Sequence, residues 1–317
     1  MRCRILVLFH ALAALTLRPG LNASEPKPSE AAGAVASKLG FVVDGKEFRF
    51  DTGLLRGVLR PQGRSLGLAA VIDAGSGWTL SGGLGLFSHY RLLDAGARYG
   101  GGAWDFPSQG RLLADGSVEA AWPSQPGLPF EMTATYRWNA PNALDLVTTV
   151  TARKDLQRFE VFLASYFNGF AESLVYVKSH PQRSGKPGLM PAVRSNGDWQ
   201  MFPRDDAAVK VILDGRWQRP PNPVDWKIMP ALAGPLGVRR DAATGLTALV
   251  MAPPDDCFAV ATPYGEEGHR SVYLSLWGRD LKTGQTARAR ARLVIGRDIS
   301  DAQAVAIYEA YAKQPAR

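Results

Sequence analysis

Alternating or β-branched segments recur from Phe41 to Ile295, and nothing between them repeats at sustained helical spacing. On an extended chain each side chain points to the face opposite its neighbour's, so such alternation marks strands with one buried face. Strand candidates cover 130–138, 143–151, 158–167, 173–178, 209–213, 236–240, 246–252, 257–262, 271–277 and 286–295. Two Asp-Gly pairs, Asp44-Gly45 and Asp115-Gly116, sit between further runs of this kind. That dipeptide is the strongest local hairpin signal because glycine supplies the positive φ of a tight turn. Antiparallel pairing is therefore expected, and an alternation of strands and helices is disfavoured. The fold class is all-β, a large antiparallel β-sandwich or a barrel. Only the end breaks the pattern. Ser300 and Gln303 have capping-box spacing, and Val305, Tyr308 and Ala312 follow at helical intervals, which predicts one C-terminal helix over 300–313.

At the other end, Arg2 and Arg4 precede an apolar run over 5–17, and small residues surround Ala23. This predicts a secretory signal over 1–23, a polar linker over 24–40 and a single β domain over 41–317. The apolar run is short for a membrane span, so the protein is expected to be secreted or periplasmic, with no membrane association after cleavage. Removing Arg2, Arg4 and Arg18 lowers the formal net charge from +8 to +5. The remaining basic residues are scattered, which speaks against nucleic acid as a partner. Arg288, Arg290 and Arg292 alternate with alanine, and the expectation is one solvated sheet face. Cys257 has no partner outside the signal and reads as a small buried hydrophobe. Nothing in the sequence specifies an oligomeric state.

Four segments hold more polar and aromatic residues than turns and a core require. Segment 85–107 places His89, Tyr90, Arg91, Arg98, Tyr99, Trp104 and Asp105 around a glycine run. Glycines let backbone approach a ligand, aromatic faces stack on sugar rings, and Arg with Asp binds hydroxyls in both senses. The structural alternative is a strand ending in a loop, with His89 hydrogen-bonded locally. Segment 199–226 contains Trp199, Arg204, Asp205, Asp206, Trp217, Asn222 and Trp226, and its tryptophans argue against disorder. Asp205-Asp206 suits a short helix start at least as well as a metal site. Segment 262–279 brings Glu266, Glu267 and His269 before a strand, although two adjacent glutamates on extended chain do not face one cleft. Segment 159–168 aligns Glu160, Phe162, Ala164, Tyr166 and Asn168 on one face, so a buried Glu160 of raised pKa would share a surface with Tyr166.

The run Ala164-Ser165-Tyr166-Phe167-Asn168 resembles the His-x-Tyr-Phe-Asn segment of galactose mutarotases and related aldose epimerases. The Lys282-Thr283-Gly284 turn before 286–295 is similar to the closing strands of their β-supersandwich. The resemblance covers about a third of the chain and implies that fold and a sugar-sized cleft. In that family the histidine protonates the ring oxygen while a late glutamate takes a proton from the anomeric hydroxyl. Here Ala164 stands at the histidine's place, and a methyl group has no proton to give. The chain also resembles uncharacterised secreted bacterial proteins carrying the GLFSHYR and WQMFPRD strings. It has no nucleophile elbow, phosphate-binding loop, His-Glu-x-x-His or paired-cysteine zinc motif.

The expectation is a carbohydrate-active protein with a sugar or oligosaccharide partner, bound in a cleft made by the first three segments. Catalysis by proton transfer, epimerase- or lyase-like, or by hydrolysis, would use His89 or His269 as acid and Glu160 or Glu266 as base. Trp104, Trp199, Tyr166 and Trp226 would form the platform, with Arg91, Arg204 and Asp105 binding hydroxyls or a carboxylate. No cofactor is implied, and Asp205, Asp206, Asp255 and Asp256 lack the spacing of a calcium loop. A non-catalytic glycan binder fits the same residues. A structural envelope protein predicts instead that these segments are packed and that no open cleft holds Trp104 and Arg204 together.

Overall fold

The computed structural model describes residues 39–62 and 67–315. The expected signal over 1–23 and residues 24–38 of the expected linker lie outside the described residues. Both Asp-Gly signals form hairpins. Asp44 pairs with Glu47 across the first turn, where Gly45 adopts φ +61°. Asp115-Gly116 links Gln109–Leu112 to Val118–Trp122, with Gly116 at φ +82°.

Three sheets result. Phe41–Asp44, Glu47–Asp51, Leu55–Arg60 and Gly67–Asp73 form a four-stranded antiparallel meander. A six-stranded sheet runs in the order Lys227–Ile228, Trp199–Pro203, Cys257–Pro263, Ser271–Leu281, Leu156–Tyr166 and Ser88–Leu93. The pairing of Lys227–Ile228 with Trp199–Pro203 is parallel. A nine-stranded sheet is ordered Gly188–Pro191, Glu172–Val177, Leu232–Asp241, Leu246–Met251, Thr286–Arg297, Ala143–Ala152, Phe130–Ala140, Val118–Trp122 and Gln109–Leu112.

Strand faces fix the layers. Along Leu156–Tyr166, Phe159, Val161 and Leu163 enter the main core against Leu144, Leu146 and Val150 of the large sheet, while Phe162, Ala164 and Tyr166 face outward. Along Thr286–Arg297, Ala287, Ala289 and Ala291 enter that same core. Each large apolar side chain so buried contributes about 1.5–3 kcal/mol. The opposite face of Thr286–Arg297 differs from the solvated face expected. Arg290 pairs with Asp256, and Arg292 pairs with Asp145 while stacking on Tyr311, so only Arg288 of the three is exposed.

The terminal helix forms over Asp301–Ala312, with Ser300 and Gln303 completing a reciprocal capping box. Ala304, Tyr308 and Tyr311 cover the outer face of the large sheet at Leu236, Val238, Leu249 and Met251. A second helix, Asp206–Ile212, replaces the strand expected at 209–213. Asp205 caps it by accepting from the Ala208 amide, and Ala208, Val211 and Ile212 are buried against the six-stranded sheet. A five-residue apolar run does not by itself distinguish strand from helix, and the cap decides here. Among the described residues no helix is long and apolar enough to cross a membrane. Cys257 is buried in the main core, and burial pushes its thiol up to about 12.

Candidate functional site

A cavity of about 630 Å³ opens on the outer face of the six-stranded sheet. Its lining comes from all four segments: Tyr90, Arg91, Gly101 and Trp104, then Phe162 and Tyr166, then Trp199, Trp217, Asn222 and Trp226, and finally His269 and Tyr273. A second depression of about 450 Å³ shares Leu84, Tyr166 and His269 with it, so the groove continues beyond His269.

One irregularity sets the chemistry of the inner wall. Phe162 pairs with Arg91 and Leu163 pairs with His89, which leaves Tyr90 as an extra residue in the strand Ser88–Leu93. Such a β-bulge turns two consecutive side chains to one face. Tyr90 and Arg91 both reach the cavity, and His89 is turned into the core. There its Nε2 lies 3.0 Å from Thr148 Oγ1 and its ring 5.4 Å from Trp122, at 0% exposure. His89 is therefore not a cleft acid, contrary to the sequence expectation, and the local hydrogen-bonded alternative describes it.

The outer wall is the stretch 214–226, anchored from beneath and from the side. Arg216 is fully buried and donates to Glu160 Oε2 at 2.9 Å and to Asp214 Oδ2 at 2.8 Å. This holds the 3-10 turn Arg216–Gln218, and with it Trp217, against Phe162 at 4.7 Å between ring centroids. Glu160 is a correction as well. It does lie on the same face of its strand as Tyr166, but it sits beneath the wall, bound to Arg216, and lines no part of the cavity. Burial pushes its carboxyl above the usual range, against the opposing pull of Arg216. At the side, Arg98 donates to the carbonyls of Gly101 at 2.7 Å and of Pro221, and Arg219 donates to those of Asp94 at 2.9 Å and of Ala95. The two loops are thus laced by guanidinium groups whose acceptors are backbone carbonyls.

Flat rings surround the opening. Tyr90 and Trp104 stack with centroids 5.1 Å apart and planes 12° from parallel. Trp226 meets Trp217 edge-on at 5.2 Å and Trp199 at 6.0 Å. In the floor, Phe162 stacks on Tyr273 at 4.5 Å, and Tyr273 accepts a hydrogen bond from Ser271. Burial pushes the Tyr273 phenol up to about 12 and raises that of Tyr166 further, so both remain protonated donors at neutral pH. Ala164 pairs with Tyr273 across the strands and is completely buried among them.

The remaining expected residues divide. Arg91, Trp104, Tyr166, Trp199, Trp226 and His269 line the cavity. Asp105, Arg204 and Glu266 do not. Asp105 accepts from the Gly101 amide at 2.5 Å and fixes the glycine loop. Arg204 pairs with Asp205 at 2.9 Å, donates to the Pro254 carbonyl and does not share this cavity with Trp104. Glu266 is exposed on a separate depression beside Arg194 and Arg240. Its neighbour Glu267 is the one that meets His269, with 2.9 Å between Glu267 Oε1 and Nδ1. His269 also packs against Trp199 at 5.2 Å. Tyr273 was not singled out by sequence; its signal is the alternation Ser271, Tyr273, Ser275 in a strand paired to 160–166.

Among the described residues no Asp or Glu lines the cavity, and no group of three His, Cys, Asp or Glu side chains is placed to hold a metal. Two carboxylates flanking a bond, as glycoside hydrolysis ordinarily requires, are not supplied by this lining.

No protein-family model matches the chain, and no curated protein matches it. Solved structures do. A galactose mutarotase-like protein from Lactobacillus casei ATCC 334 superposes with a TM-score of 0.52 at 8% identity, covering 79% of this chain and 100% of that one. The α-N-acetylgalactosaminidase NagBb from Bifidobacterium bifidum gives 0.49 at 10% identity over 86% of this chain and 38% of that one. A GalM/aldose epimerase homologue from C. elegans gives 0.47 at 11% identity, over 82% and 99%. The first of these identifies the architecture, and the chain has the galactose mutarotase-like fold. At such identities the likeness is one of fold.

Proposed function

We propose that this chain binds a carbohydrate in the cavity between the bulged strand Ser88–Leu93 and the wall 214–226. The observation that carries the reading is the set of flat aromatic rings, Tyr90 stacked on Trp104 together with Trp199 and Trp226, that line a space of about 630 Å³. Sugar rings present C–H-rich faces to such surfaces, and the volume suits a small ligand. The continuation of the groove past His269 gives room for a second sugar unit. An exported location, expected from the first 23 residues, is consistent with encounter with free or polymeric glycans. Isothermal titration with mono- and oligosaccharides tests the reading. Saturable binding that weakens at least about tenfold in Trp104→Ala and Trp226→Ala supports it. No binding by any sugar at millimolar concentration defeats it and favours a structural role.

A catalytic form of the same reading rests on one further observation, the contact of His269 Nδ1 with Glu267 at the cavity edge. A carboxylate at Nδ1 fixes the tautomer and leaves Nε2 as a proton acceptor. Proton abstraction from a bound sugar by His269 predicts turnover detectable by NMR of the sugar, abolished in His269→Gln with binding retained. Binding without any spectral change in the sugar would leave a non-catalytic binder.

A further inference from the structure

We infer that the ligand is a sugar bearing a singly charged anionic group, a ring carboxylate or a sulfate ester, seated on Arg91. The inference rests on the carbohydrate reading above and specifies its substrate class. Arg91 lines the cavity and is 3% exposed. Its Nη2 donates to the Asn222 carbonyl at 2.6 Å, while Nε and Nη1 are buried and meet no acceptor. The guanidinium lies between the rings of Tyr90 and Trp217, at 5.2 and 5.0 Å, and among the described residues no carboxylate is paired with it. A buried charge is tolerated when opposite charge or a full set of acceptors surrounds it.

Elsewhere this chain supplies them. Arg216 has Glu160 and Asp214. Arg239, also fully buried, donates through both Nη atoms to the carbonyls of Phe170, Gly265 and Ser271 and to Thr262 Oγ1, which leaves its Nε without an acceptor. Arg91 has one carbonyl, and the residue lines the cavity.

The indole N–H groups of Trp217 and Trp226, both lining residues, are buried without an acceptor, as are those of Trp138 and Trp277 in the main core, so it is their place in the lining that bears on a ligand. Arginine and indole nitrogens donate only, so their complement is rich in acceptors, and the guanidinium charge selects an anion. Arg98 reinforces the field. Burial, and after it the Arg91 charge, lower its pKa, but its donors are committed to loop carbonyls. Among the described residues that line the cavity Arg91 is the one arginine, and one cation balances one negative charge, which fits a carboxylate or sulfate ester better than a phosphate dianion.

The test is calorimetric titration of the full chain with galacturonate, glucuronate, their neutral methyl esters, galactose, glucose, glucose 6-sulfate and glucose 6-phosphate. The expected result is a uronate or the 6-sulfate binding at least about tenfold more tightly than its uncharged counterparts. The uronate and sulfate arms identify the group. Esterification removes the charge without touching the protein, so this arm is independent of any folding defect. In Arg91→Gln the charged-to-neutral ratio is expected to fall to about one. Equal affinity for acid, ester and neutral sugar would overturn the inference and leave the carbohydrate reading standing. Preference for the 6-phosphate would overturn the single-charge assignment. Failure of every sugar to bind would remove both readings.

Discussion

Arg216 and Arg91 flank the same indole, that of Trp217, and the protein treats them in opposite ways. Arg216 precedes Trp217 in the chain and is completely buried, with two carboxylates within 2.9 Å. Arg91 stacks on the face of that indole and is almost as deeply buried, with one carbonyl for a partner. Burial is common to both; saturation is not. A guanidinium whose charge and donors are satisfied within the chain holds a wall in place. One left unsaturated beside an open space has donors in reserve for something that enters.

The comparison makes stability and binding separable. Arg216→Met strands Glu160 without its cation and leaves Asp214 only Arg158 at 3.3 Å, and the unfolding free energy from urea titration is expected to fall by about 3–5 kcal/mol. Glu160→Gln leaves Arg216 its bond to Asp214, so the expected loss is smaller, about 1–3 kcal/mol.

Arg204 sits between the two extremes, partly exposed and paired with the helix-capping Asp205. Asp205→Ala is expected to cost about 1 kcal/mol at neutral pH. The hydrogen bond from Arg204 holds the Asp205 pKa below the usual range. The ionic part of the cap is therefore present above the ordinary aspartate pKa and lost as pH falls through the folded value. The gap between wild type and Asp205→Ala should narrow along that acid limb in urea titrations.

Arg91→Met strands no acid, and a change in stability of less than about 1 kcal/mol is expected. A loss as large as that of Arg216→Met would break the comparison and make Arg91 a structural residue.

Sequence reading succeeded for most local signals, the strand expected at 209–213 being the exception. Alternation along 159–168 put Phe162, Ala164 and Tyr166 on one face with Glu160, while Asn168 lies past the strand's end at Tyr166, and the capping box located the last helix to within about a residue. It failed where a distant residue or an irregular backbone decides. Strict alternation makes Arg91 share a face with His89, and only the extra residue at Tyr90 separates them. The partner of Glu160 lies 56 residues away in a loop, so an apparent catalytic carboxylate is an anchor. Glu266 and Glu267 are neighbours, and the turn between Tyr264 and Arg270 decides which one meets His269. The aromatic segments were legible as unusual, but the assembly of four of them around one cavity depends on the order of strands in the six-stranded sheet.

The bulge at Tyr90 also has a genetic reading. Removing the Tyr90 codon from the edge strand Ser88–Leu93 would restore regular alternation there, keep His89 toward the core and Arg91 toward the cavity, and take one stacking ring out of the lining. The nine-stranded sheet and the terminal helix would keep their own register. Ligand preference on this scaffold is thus exposed to a class of mutation that substitution scans never sample. Lineages sharing the architecture have a short route to divergent recognition, through insertion or deletion at the rim of a sheet whose interior is unchanged.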